Sequence, residues 1–281
     1  MLSLVVYTIV HIFCIPDLAG LHKKMIGFLY EMAKHKRIGV LITTMAYFNT
    51  VTALIGNADS CGVDPSIGLK THSEIFQIAE HTQNAFLKHH MIVNQMYVSC
   101  YFREYLSVAV FAEKYGMKTQ AKRVLDFYFI FYQGIAAICL ARDTKQNKWK
   151  AIGEKSATTM TQLLNHSNWN FENMLFLLQA ELNYLNGRIA MAESSYKAAI
   201  VSAHDHRFNN EEALGLELYG IFLVENKKVA EGLQQLEKAR EEYKVWGAIK
   251  KADAVLEFMD LVKNTMCHRD CNHDTLWDTH E

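Results

Sequence analysis

After Pro65 the chain has no proline at all, and before it only Pro16, so more than two hundred consecutive residues lack the side chain that breaks helices. No stretch of five or more residues alternates apolar and polar in the manner of a half-buried strand. Long segments instead place apolar residues three and four apart, which is the helical period. The expected class is all-α.

Breaks in that period fall at Pro16-Asp17, "GNADSCGVDPS" (56–66), Gly116, "RDTKQNK" (142–148), "NHSNWN" (165–170), Asn186-Gly187, "DHRFNN" (205–210), Asn226 and Gly247. Most of the segments between them run to about 15–25 residues, usual for helical arrays. Connections this short make successive helices antiparallel.

An internal repeat is visible. Gly187 is followed by Ala192, Tyr196 and Ala199 on one helical face; forty residues on, the same frame gives Gly232, Leu236 and Ala239, with Gly220 standing where Ala180 stands. A third copy upstream has Gly116, Ala121 and Leu125, with Tyr128 replacing the last alanine. Small residues let paired helices approach, and one pair cannot bury its apolar face alone, so pairs stack. The pattern is that of tetratricopeptide (TPR) repeats, and it predicts a right-handed α-solenoid of antiparallel helix pairs over residues 1–265. Residues 266–281 are expected to be a disordered tail.

Trp246-Gly247, inside "EEYKVWGAIKKADAVLEF", tests this expectation. Glycine within a helix loses about 1 kcal/mol relative to alanine, whereas just past a helix end it turns the chain at little strain. Trp246 is thus expected to close one helix, and Ile249, Ala252 and Leu256 to open the next apolar face.

The run from 171 to 257 resembles the TPR-like region of very large signalling proteins, which carry a kinase-like domain and an AAA-type ATPase before the repeats and GAF with histidine-kinase or cyclase modules after them. "GRIAMAESSYKAAIVSAHDHRFNNEEALGLEL" (187–218) and "YKVWGAIKKADAVLE" (243–257) carry it most specifically. "FYFIFYQGIAAICLA" (127–141) and "HIFCIPDLAGLHKKMIGFLYEMAKHKRIGV" (11–40) extend it over roughly residues 5–260. The family's ATPase and kinase parts have no counterpart here, so the resemblance implies a stand-alone relative or a fragment of a larger protein. Its partners would be proteins, or adjoining ATPase and kinase domains.

Charge excludes one class of partner. Lys plus Arg number 29 against 30 Asp plus Glu, so the basic excess that binds a phosphate backbone is missing. Cys14, Cys61, Cys100, Cys139, Cys267 and Cys271 are mostly isolated in apolar surroundings, as reduced core thiols are, and the expected compartment is the cytoplasm. The apolar start, "MLSLVVYTIVHIFCIP", has no basic leader and is short for a bilayer, so a buried first helix is expected rather than a membrane anchor.

No catalytic set is legible, and neither enzyme activity nor a cofactor is expected. "GVDPSIGLKTHSE" inserts Leu69 between Gly68 and Lys70, where a phosphate loop needs lysine next to glycine, so it reads as a turn. His89-His90 and His204-x-His206 lack the i, i+4 spacing of paired ligands. The tail from Cys267 has Cys271 and His273 for a zinc site, and Asp270, Asn272, Asp274, Asp278 and Glu281 at spacings of a calcium loop; the second Cys/His pair and the calcium-loop glycine are missing. A metalloprotein is therefore the weaker alternative, as is a piece of an active kinase or cyclase. The remaining activity is partner binding in signal transduction, with Asn183, Tyr184, Glu217 and Tyr219 as candidate contacts on the inner helices.

Overall fold

The computed structural model describes the backbone of residues 2–14, 17–56, 62–115, 124–164 and 168–274; side chains of 2, 3, 14, 168 and 266–274 are outside the described set. Among the described residues there is no strand. The helices are α1 (Leu2–Cys14), α2 (Leu18–Lys34), α3 (Ile38–Ile55), α4 (His72–His81), α5 (Ala85–Tyr101), α6 (Tyr105–Tyr115) and α7 (Val124–Thr144). They continue as α8 (Asn147–Leu164), α9 (Asn168–Leu185), α10 (Ile189–Asp205), α11 (Asn209–Glu225), α12 (Val229–Trp246) and α13 (Ile249–Asp274). A 3₁₀ turn, Pro65–Ile67, precedes α4.

Helix starts follow local chemistry. The Asp17 carboxylate accepts the Gly20 amide at 2.8 Å, Asn84 accepts from Leu87, and Thr71 with Glu74 forms a reciprocal capping box on α4. Each satisfies an amide that lacks a helical partner, worth about 0.5–2 kcal/mol.

Helix ends share one device. Gly187, Arg207, Lys227 and Gly247 are all left-handed, with φ of 72°, 61°, 66° and 92°, and they recur at intervals of twenty residues. After each, the next amide bonds back to the carbonyl five residues earlier: Arg188 to Asn183, Phe208 to Ala203, Lys228 to Leu223 and Ala248 to Tyr243, at 2.8–2.9 Å. This is the Schellman closure. Lys36, Gln83 and Arg103 repeat it. These three turns lie within segments that the sequence reads as continuous, because a left-handed residue other than glycine leaves no mark in the sequence.

Gly247 therefore terminates α12, and no helix runs through it. Trp246 is 1% exposed, its ring 5.6 Å from that of Tyr101.

The odd-numbered helices form an inner layer: α1 touches α3, α3 touches α5, and so on through α7, α9 and α11. The even-numbered helices pack chiefly on their sequence neighbours. Sequence explains the division. Inner helices α5, α7 and α11 bury residues on every side, while α12 buries a single stripe, Gly232, Leu236, Ala239, Tyr243 and Trp246, at alternating steps of four and three. On α10 the stripe is Ala192, Tyr196, Ala199 and Ala203.

The repeat positions thus sit at helix contacts. Ala180, Ala192, Tyr196, Leu236 and Ala239 have no exposed surface, and Ala199 and Leu125 are buried. Ala121, like Gly116, is outside the described residues.

Backbone meets backbone where α11 packs on α12. A methyl group added to Gly232 would lie 2.8 Å from the Gly220 carbonyl oxygen, and one on Gly220 would lie 3.0 Å from that of Gly232. Helix propensity alone favours Gly232→Ala by about 1 kcal/mol. Backbone cannot give way as a side chain can, so the expected outcome is the opposite: a loss of ~1–3 kcal/mol in urea unfolding at unchanged m. A stabilised variant would show that the two helices are not held this close.

The array also turns back on itself. α13 packs on α3 and α1 on α11, and the backbone at Leu18 and Ala19 lies against Gly247. Val5, Thr8, Ile12 and Phe13 of α1 are buried in this arrangement. Two helices, α3 and α7, are long and apolar enough to cross a membrane by length and composition, but 56% and 83% of those spans is buried within the fold. The backbone of α13 stays helical to Asp274, beyond the boundary expected at residue 265.

Candidate functional site

α10, α11 and α12 are successive antiparallel helices, and between the outer two an open groove of about 760 Å³ runs along α11. Each helix contributes one face. α11 supplies Glu212, Leu216, Tyr219 and Leu223, at steps of four, three and four; α10 supplies Glu193, Lys197, Ile200 and Val201; α12 supplies Glu231, Gln234, Lys238, Glu241 and Glu242. The floor is apolar and the rim acidic.

At one end of the groove Glu193 is fully engaged. Its carboxylate receives Lys197 at 2.7 Å, Lys228 at 3.1 Å and the Tyr219 hydroxyl at 3.3 Å. The two lysines hold its pKa down at about 2. At the other end Glu212 meets only His204, at 3.1 Å. Partial burial and the nearby charge of Glu242 raise its pKa above the ordinary value, so the two carboxylates crowd each other across α11 and α12.

Behind α11, on the side away from this groove, lies a smaller cavity of about 370 Å³ with charges in its walls. Glu181, 1% exposed, accepts the Arg142 guanidinium at 2.6 Å and the Tyr196 hydroxyl at 2.6 Å. Arg142 stacks 4.6 Å over the Tyr184 ring, and the Tyr184 hydroxyl donates to Glu225 at 2.7 Å. Next to it Glu217 accepts Lys251 at 2.7 Å and the Tyr243 hydroxyl at 2.8 Å, with Arg103 at 3.7 Å. Each buried anion is thus met by a cation and a phenol, the arrangement a low-dielectric interior requires.

Of the four residues expected to touch a partner, Tyr219 lies in the groove and Tyr184 in the cavity wall. Asn183 is half-buried and donates to Ser195 at 3.4 Å. Glu217 is a correction: at 2% exposure and bonded to Lys251, it faces inward and meets no solvent. Glu181, Arg142, Lys251, Glu212 and Glu242 were not singled out by sequence. A lone glutamate within an apolar helix, as in "FLLQAELNYL" and "ALGLELYGIF", is the signal that marks Glu181 and Glu217.

The remaining motifs resolve plainly. Asp64 caps the 3₁₀ turn, Gly68 is left-handed at its end, and the Lys70 carbonyl accepts from Asn49. His90 bonds Tyr47, His89 lies 3.0 Å from Asp126, and the His206 ring sits against Trp169. Among the described residues no group of three His, Cys, Asp or Glu is disposed to hold a metal ion. The residues of the Cys/His/Asp tail are outside the described side chains. Cys100 and Cys139 are free and buried, and burial pushes both thiols up.

The fold thus defines an all-α protein of antiparallel helices. No family model, curated protein or solved structure matches the chain.

Proposed function

We propose that the chain is a non-catalytic protein-interaction module of the helical-repeat type, a TPR-like solenoid acting in signal transduction. The single observation that carries this reading is the open groove along α11, apolar at its base and charged at its rim, which is the form a docking surface takes. The turns at intervals of twenty residues and the small residues at helix contacts support a stacked-pair architecture. The resemblance of 187–218 and 243–257 to the repeat region of large ATPase and sensor-kinase proteins supports a signalling context, and the buried thiols of Cys100 and Cys139 suit the cytoplasm.

The test is site-specific crosslinking. A photoreactive residue at Val201 or Gln234 should form adducts with a discrete partner in the native source, and one at exposed Thr158, on α8, should not. Equal labelling from all three positions would remove the groove as the interaction surface.

A further inference from the structure

We infer that the groove along α11 receives an amphipathic helix bearing Lys or Arg, supplied by a partner protein, whose cation sits between Glu212 and Glu242 while its apolar side chains cover Ile200 and Val201. The inference rests on the interaction reading above and adds to it the chemistry of the partner.

Charge complementarity carries it. Of the residues lining the groove, glutamates outnumber lysines, and the two lysines are not placed evenly: Lys197 is already bound to Glu193. Glu237 and Glu241 are answered on their own helix by Arg240 and Lys244. Glu231 also has no ion pair among the described residues, but it follows Lys228 by one turn at the Glu193 end; Glu212 and Glu242 share the other end. Among the described residues neither has an ion pair with Lys or Arg; Glu212 has the His204 ring and Glu242 the Asn209 amide at 3.4 Å. Both line the same groove from adjacent helices, and Glu242 accepts from Asn209, one turn before Glu212 on α11, so the two carboxylates form a site whose electrostatic complement is a single cation.

The apolar half of the argument is independent. Val201 is 57% exposed at the groove edge with Ile200 half-buried beside it, and Ile200 packs against Gly215, one turn from Glu212 on α11. An extended basic peptide would satisfy the carboxylates but leave this surface wet. The groove residues of α11 run from Glu212 to Leu223, which spans about 16 Å, or three turns of a docked helix.

The probe is a dye-labelled 16-residue synthetic peptide with leucines on one helical face and lysines on the other, followed by fluorescence anisotropy against the full chain. Two controls accompany it: the same residues in scrambled order, and a leucine/glutamate version. The Leu/Lys helix should bind and the scrambled peptide should bind at least about tenfold more weakly. Glu212→Gln with Glu242→Gln should weaken the Leu/Lys helix by about tenfold, and Val201→Lys, at an exposed position, should weaken it comparably. Circular dichroism of each variant confirms that the fold is kept. Binding that ignores residue order, or that survives both changes, overturns the inference. If the Leu/Glu helix binds and Val201→Lys alters its affinity while the Leu/Lys helix fails, the groove remains a docking surface and the partner chemistry is wrong. If neither helix binds, the groove itself falls as a docking surface.

Discussion

Lys251→Met is expected to destabilise the protein by ~3–5 kcal/mol. The cause is what it leaves behind. Lys251 and Glu217 are each 2% exposed in their side chains and 2.7 Å apart, so removing the ammonium strands a carboxylate away from water with only Arg103, at 3.7 Å, to oppose it. Burial lowers the pKa of Lys251, and Glu217 works against that shift. The double variant Glu217→Gln with Lys251→Met should recover most of the loss, since glutamine still accepts the Tyr243 hydroxyl and the charge that remains, Arg103, reaches solvent. Urea unfolding of the two singles and the double closes the cycle. A single variant within 1 kcal/mol of the parent would mean that water reaches the pair.

The second large effect depends on pH. Burial pushes the Glu211 carboxyl up to about 8 from an ordinary value of 4.5, and the Asn173 amide, which donates to it, opposes that rise. Between those two values the folded protein holds a proton that the unfolded chain has released. The native state binds more protons there, so stability is fullest below about pH 4.5 and declines as pH rises towards 8, by up to ~5 kcal/mol. Glu211→Gln removes that dependence. Denaturation at pH 5, 6, 7 and 8 should show parent and variant close together at the acid end, with the variant increasingly the more stable towards pH 8. Parallel profiles would assign the slope to another group.

How much of this is legible in the sequence depends on how far each feature reaches. Gly187 and Gly247 are readable because left-handed backbone is a local demand that glycine meets without strain. Arg207 and Lys227 do the same task with side chains that carry no such signature, and only the polar breaks at 205–210 and Asn226 mark where those turns fall. The contact alanines are readable from spacing. The charged interior is not: Glu217 finds Lys251 thirty-four positions later, and Glu181 finds Arg142 thirty-nine positions earlier. Helix-face counting places Glu217 on an inner helix, as it is, but cannot say that inward there means dry. Tyr219 is readable as a groove residue, whereas the Glu212 and Glu242 pairing needs the crossing of α11 and α12.

The backbone at Leu18 rests against Gly247, more than two hundred positions away. A row of stacked helices can fold from its first members onward, each docking on the one before. Here the earliest helices cannot finish. Leu18, which has no exposed surface in the folded protein, waits for a surface made more than two hundred residues later. At about 5–20 residues per second of synthesis that wait is on the order of 10–50 s. Contacts of such long range also slow folding of the free chain. During that interval the apolar stripe of α2, Leu18, Leu21, Met25, Leu29 and Met32, lacks part of the surface that covers it in the finished fold.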